Sequence, residues 1–292
     1  MLLGLDHATI AVRDPARAAE QLERTLGLKM VPGGEYPDLG IQSSVALFGA
    51  DYLELVSVRN PEIAGMNERG RILLDLLSRR EARLLGYCLS SDDLDRDVAE
   101  ARERGLHLEG PFSGSRRLPD GSLMVWRTSW HPHDPWGHLL PPLIHHDTDM
   151  MRRRRWVPPD GHPLRANALY SVALVVADRG EAVESYRRLL GEPPDIVEDV
   201  PEPPACRARF CVGSFRVEIL QPTAPSSSLA RLLKQEGEGT FLLGLAVPDL
   251  DDAVRFLRER GTAVGPPTPE GVAPLLDPSQ TLGISFQLVE RT

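Results

Sequence analysis

His7 and Glu54 are the two side chains whose setting most invites chemistry. His7 interrupts the apolar run Leu5-Asp-His-Ala-Thr-Ile-Ala-Val12, and Glu54 stands between Leu53 and Leu55. Alternate side chains of a strand face opposite ways, so Glu54 points away from both leucines, where a carboxylate is costly unless it has a partner. Imidazole and carboxylate serve as acid–base groups and as ligands for borderline metal ions. The plainer readings are a hydrogen-bonded core histidine and a salt-bridged strand glutamate. The densest histidine cluster is Trp130-His-Pro-His-Asp-Pro-Trp-Gly-His138. Pro132 and Pro135 make it a turn, so His131, His133 or His138 would act only by reaching over a neighbouring site. Arg127 is of the type that clamps a carboxylate, and Trp126, Trp130 and Trp136 are of the type that walls a small-molecule pocket, with core packing as the alternative. Cys88, Cys206 and Cys211 have no CxxC spacing and no activating neighbours in sequence, so buried free thiols are expected.

The elements that must hold these groups come in four similar copies. The first runs from the strand Leu5–Val12 through a helix over Ala16–Leu26 to a short strand near Lys29–Val31 and the β-rich stretches Gly40–Phe48 and Tyr52–Val58. Asp14 and Pro15 suit the helix start and Gly27 its end. The second copy has Gly86–Ser91, a helix over Leu94–Arg104, then Ser122–Trp130 and His138–Ile144. The third has Ala168–Val176, a helix over Glu181–Leu190, then Ala205–Val212 and Phe215–Leu220. The fourth has Phe241–Val247, a helix over Asp251–Arg260, then Val272–Leu276 and Gly283–Glu290. The unit is βαβββ. The stretch from His146 to Asn167 is rich in Arg, Pro, Gly and Asp and reads as a linker, with Arg152–Arg155 as a solvated or salt-bridged run. This predicts a domain over 1–146, a linker over 147–166 and a second domain over 167–292.

A length of 292 residues suits two domains, and a hydrophobic share of 41% is enough to give each a core. No apolar run reaches the roughly 18 residues that span a bilayer, and the first residues lack a signal-peptide pattern, so cytoplasmic residence away from membranes is expected. A net charge of −9 argues against nucleic acid as partner and for a small-molecule ligand.

The doubled and redoubled unit, with Leu5-Asp6-His7, Leu26-Gly27, Tyr52-Leu-Glu-Leu55, Arg117-Leu-Pro-Asp-Gly121, Trp126 and Leu140-Pro-Pro-Leu-Ile144, resembles the vicinal-oxygen-chelate superfamily, and in its first half the glyoxalase-like domain group. The resemblance implies an α+β fold, four βαβββ modules forming two cupped mixed β-sheets with helices packed outside. It also implies a divalent metal (Zn, Mn, Fe, Ni or Co) chelating vicinal oxygens of a substrate, in a lyase, isomerase or dioxygenase. The matching ligand positions are His7 and Glu54 in module one, Gly86 and Pro141 in module two, Ser171 and Glu218 in module three, and Leu242 and Gln287 in module four. Gly86 and Pro141 offer no ligand, and the second half looks degenerate. If neighbouring modules pair, His7 and Glu54 share a cup without a matched third ligand; if modules one and four pair, Gln287 joins them. Strand alternation puts His138 on the face opposite Pro141. Metal His7, Glu54 and conditionally Gln287, with substrate contacts from Arg127, Trp130, His138 and Glu218, form the expected site. The other reading is a metal-free protein that binds a small molecule without catalysis. These modules commonly assemble edge to edge, so a homodimer is compatible with the chain.

Overall fold

The computed structural model describes residues 1–118, 120–149, 152, 155–265 and 275–291. The local signals are realised where they were legible. After β1 (Leu2–Val12), Asp14 accepts a hydrogen bond from the Arg17 N–H and Pro15 opens α1 (Pro15–Leu26), which ends at Gly27 in the left-handed conformation with φ 65°. Leu22 and Leu26 on its inner face are fully buried, contributing about 2 kcal/mol each. β2 (Val31–Tyr36), β3 (Ile41–Leu47) and β4 (Tyr52–Val58) complete the first module. A helical insert then follows, α2 (Pro61–Gly65) and α3 (Glu68–Arg79). The second module is β5 (Ala82–Ser91), α4 (Leu94–Glu103), β6 (Glu109–Arg117), β7 (Leu123–Trp130) and β8 (Leu143–His146).

Neighbouring modules pair. Strands β1 to β8 form a closed barrel in the order β1-β4-β3-β2-β6-β7-β8-β5. One seam is the long antiparallel β1–β5 ladder, and the other is a single β2–β6 register point, Glu35 opposite Arg117. The cup expected from the repeat is therefore shut. Closure needs Gly34, whose φ is 121° and where a Cβ would stand 2.6 Å from the Arg117 carbonyl oxygen.

The second half is an open six-stranded sheet, β10-β11-β12-β9-β13-β14. Its elements are β9 (Ala168–Val175), α5 (Arg179–Leu190), β10 (Ile196–Pro201), β11 (Pro204–Val212), β12 (Phe215–Pro222), α6 (Ser228–Glu236), β13 (Gly239–Val247), α7 (Leu250–Glu259) and β14 (Ser285–Glu290). Its last module contributes two named strands among the described residues, and β10 and β14 stand at the two edges. Most of the strand expected over Val272–Leu276 lies outside the described residues; Leu276 makes an isolated bridge to Val264.

The halves share one hydrophobic cluster in which Leu22, Leu26 and Tyr87 of the first meet Tyr186, Phe210 and Phe286 of the second. Modules one and four meet through the α1 helix and not through paired strands among the described residues: Thr262 Oγ donates to the Thr25 carbonyl at 2.8 Å and Gln21 Nε2 to that of Gln280 at 3.1 Å. No helix among the described residues is long and apolar enough to cross a membrane.

Candidate functional site

Strict alternation along β1 would send Asp6 and His7 to opposite faces. It is broken at this point. The β1–β5 register steps from Leu5 opposite Leu89 to His7 opposite Cys88, leaving Asp6 as an extra residue, the signature of a β-bulge that re-aims side chains. Asp6 is 1% exposed, and its carboxylate lies 2.8 Å from His7 Nδ1 and 3.1 Å from His146 Nε2. An ionised carboxylate at Asp6 would accept from both of those nitrogens and leave Nε2 of His7 facing away from it. The His7 ring stacks on Tyr52, with centroids 4.9 Å apart.

Thr9 is the parallel-register partner of Glu54, and period-two alternation brings His7, Thr9, Tyr52, Glu54 and Val56 to the barrel interior. Glu54 is 4% exposed and is partnered there. Tyr36 Oη donates to its Oε1 at 2.6 Å, and Arg116 Nη1 lies 3.3 Å from the same oxygen, 3.1 Å from Tyr36 Oη and 3.4 Å from Ser43 Oγ. The β2–β6 closure, which sets Glu35 beside Arg117, is what brings Tyr36 and Arg116 together. Burial works against the Arg116 charge, but Tyr36, Tyr52 and Glu54 more than offset it and hold its pKa above the usual value. Burial, with Glu54 beside it, pushes the Tyr36 hydroxyl up, so it stays a donor. The Nε–H of Arg116 is buried and has no acceptor among the described residues.

These groups line a cavity of about 70 Å3 inside the barrel, well short of the roughly 300 Å3 at which drug-sized pockets begin. Trp126 and Trp136 wall it beside apolar Ile41, Val56, Met124 and Ile144. The turn at residues 134–137 roofs it. That turn explains Gly86, where a Cβ would lie 2.2 Å from the Gly137 carbonyl oxygen: the module-two counterpart of His7 is a glycine because the roof rests on it. Cys88 also lines the cavity, and burial pushes its thiol well above the usual range.

Of the residues singled out from sequence, the barrel brings His7 and Glu54 to one cavity. Gln287 is in β14 of the other sheet, opposite Gly244, because modules one and four do not pair; its condition is not met. His138 is not in a strand, since β8 begins only at Leu143; its Nδ1 lies 3.0 Å from the Leu85 carbonyl and its Nε2 3.2 Å from Arg83, where the halves meet, and burial lowers its pKa. Arg127 alternates outward between Trp126 and Thr128 and pairs with Asp95 at 2.7 Å. Trp130 packs on Phe112 instead of lining the cavity, and Glu218 pairs with Arg207 at 3.6 Å on the second sheet. Tyr36, Arg116, Asp6, His146 and Arg69 were missed. Tyr36 and Arg116 sit on strands with no clean alternation, Arg69 on the insert, and Asp6 reads as outward until the bulge is known.

The donor set does not fit a divalent ion. Asp6 behind His7 suits a ligand or a base equally, so Glu54 decides. The cation beside Glu54 is the Arg116 guanidinium, and a metal there would face a like charge at close range. Beside Glu54, the buried Arg116 Nε–H calls for an oxygen and not a cation. Gly86 and Pro141 supply no side-chain donor, and among the described residues no three His, Cys, Asp or Glu side chains are grouped to hold a metal.

Two family descriptions match the chain: "Glyoxalase-like domain" over residues 5–190, and "Glyoxalase/Bleomycin resistance protein/Dioxygenase superfamily" over residues 171–274. No curated protein matches it. Among solved structures, a hypothetical protein from Staphylococcus aureus is similar over 100% of both chains at 12% identity and a TM-score of 0.70. A mutant of 4-hydroxymandelate synthase from Streptomyces coelicolor is similar over 100% of this chain and 93% of its own, at 18% identity and a TM-score of 0.65. Methylmalonyl-CoA epimerase from Mycobacterium tuberculosis aligns with 44% of this chain and 90% of its own at 25% identity, with a TM-score of 0.40. The two full-length likenesses speak for the fold alone. Because the first match covers well over half of the sequence, this protein belongs to the glyoxalase-like domain family, within the vicinal-oxygen-chelate superfamily.

Proposed function

We propose that the N-terminal barrel is a metal-independent site that binds a small oxygen-bearing molecule and moves a proton on it, in the manner of a lyase or isomerase. The observation that carries this reading is the buried Glu54–Arg116–Tyr36 cluster in the same cavity as His7 with Asp6 behind it. His7 takes the proton from a carbon next to a carbonyl, and Asp6 stabilises the imidazolium that results. Arg116 and Tyr36 donate toward the oxygen on which negative charge develops. In a water-poor cavity one such donor is worth about 100- to 1000-fold in rate. Proton return to the same or another carbon gives isomerisation; departure of a neighbouring group gives elimination.

Deuterium exchange tests this across a whole class of small acids and amides at once. Small 2-oxo and 2-hydroxy acids and their amides are incubated with the protein in D2O and followed by proton NMR. We expect catalysed exchange at the carbon beside the carbonyl that survives EDTA and falls at least about 100-fold in His7→Ala, the usual scale for a general base. Exchange that needs an added divalent ion, or that continues at the wild-type rate in His7→Ala, would overturn the proposal. The binding-only reading is favoured by Glu54 being already satisfied by its neighbours; it predicts saturable binding with no exchange for any of these compounds.

A further inference from the structure

The charges around the cavity are not all matched within the protein. Glu54 and Arg116 answer each other, and Asp6 is covered by two imidazoles. Arg69 also lines the cavity, yet among the described residues it has no carboxylate within salt-bridge reach. It enters from α3, on the insert between the two barrel modules.

Its guanidinium is held firmly. The Arg69 Nε–H donates to the Pro135 carbonyl at 3.1 Å, and the Arg69 carbonyl accepts from Trp136 Nε1 at 3.2 Å. Insert and roof thus grip each other at this one residue. The guanidinium carbon lies 4.5 Å from the Trp130 ring centroid and 5.6 Å from that of Trp136. Aromatic contact stabilises the charge through the ring face and leaves the in-plane N–H edge for another partner. Beyond the Nε–H, no donor of this guanidinium has an acceptor among the described residues. Arg69 is half-buried, and burial lowers its pKa from the usual arginine value, as expected of a cation partly withdrawn from water without a full counter-charge.

We infer that Arg69 is the anion-recognition residue of this cavity and that the ligand is a small carboxylate. The inference rests on the barrel being the ligand site proposed above, and it narrows the class of molecule. A rigid planar guanidinium matches the two coplanar oxygens of a carboxylate, and the cavity volume of about 70 Å3 restricts the remainder to a few atoms. One carboxylate on Arg69 would leave an adjacent carbonyl or hydroxyl oxygen for the Arg116 and Tyr36 cluster.

The test compares pyruvate with pyruvamide and acetate with acetamide, pairs of nearly equal size that differ in charge. Binding is read from tryptophan fluorescence, since Trp130 and Trp136 lie against Arg69, and checked by titration calorimetry. In the wild type the carboxylates bind at least about ten-fold tighter than the amides. Arg69→Gln erases that preference, and Arg69→Lys, which keeps the charge, retains part of it. Equal binding of acid and amide to the wild type, or full carboxylate preference in Arg69→Gln, overturns the inference. The acid–amide comparison in the wild type needs no variant, so equal binding overturns the inference even where Arg69→Gln fails to fold. Inorganic phosphate binding as tightly as pyruvate overturns the carboxylate assignment. Should acids and amides both fail to bind, the site reading falls with it. Amide binding and His7-dependent exchange without acid preference would overturn only the role of Arg69.

Discussion

A buried ion pair contributes little net stability but punishes the loss of either partner, and Glu54 with Arg116 is such a pair, with side chains 6% and 5% exposed. Arg116→Met leaves the Glu54 carboxylate with only the Tyr36 hydroxyl and should cost about 3–5 kcal/mol in urea unfolding. Adding Glu54→Leu should recover most of that loss, because the double variant buries no unpaired charge. A double variant as unstable as the single one would mean that Arg116 matters by its shape and not by its charge. Glu54 is visible as a carboxylate in need of a partner, whereas nothing near it in sequence names Arg116.

At the scale of elements, the site depends on departures from regularity. The bulge at Asp6 turns two adjacent side chains to one task, and the roof turn fills the place where module two would otherwise present a side chain. Gly86→Ala should therefore damage the roof. Its Cβ would meet backbone and not a movable side chain, so a shift of the turn and a cost of about 1–3 kcal/mol are expected. Carboxylate binding should weaken as well, because the Pro135 and Trp136 contacts that seat Arg69 belong to the same turn. A Gly86→Ala protein with wild-type melting temperature and pyruvate affinity would show that the turn does not depend on this contact.

The whole molecule behaves as two halves with one core, and polar contacts cross between them. Tyr87 and Tyr186 hydroxyls are 2.5 Å apart, and the Leu169 N–H donates to Asp51 Oδ2 at 2.8 Å. Burial at this junction raises the Asp51 pKa from 3.8 to about 6, partly opposed by the Leu169 N–H. The folded state thus holds the Asp51 proton more tightly than the unfolded chain does, so this group makes folding less favourable as pH rises from about 4 to about 6, and the penalty is complete above that. Asparagine keeps the acceptor for Leu169 without the charge. Asp51→Asn should match the wild type in urea unfolding at pH 4 and exceed it by about 1–2 kcal/mol at pH 7. A variant less stable than the wild type at pH 7 would indicate that the ionised carboxylate holds the halves together.

From sequence come the βαβββ repeat, the helix of each copy and the face of Glu54, and the α+β class follows from the family resemblance those copies carry. The helices and the Glu54 face follow from contacts within about ten residues or from the strict period of a strand, which the bulge at Asp6 breaks for His7. The tertiary fold sets which modules pair, and with that it leaves Gln287 in the other sheet. It decided that the first cup closes, because one register point between β2 and β6 joins segments about eighty residues apart. Closure then chose the counter-charge of Glu54, and the helical insert, whose surface pattern carries no sign of its destination, delivered Arg69. Partner choice among buried charges depends on distances across a closed barrel, and no local pattern encodes those distances.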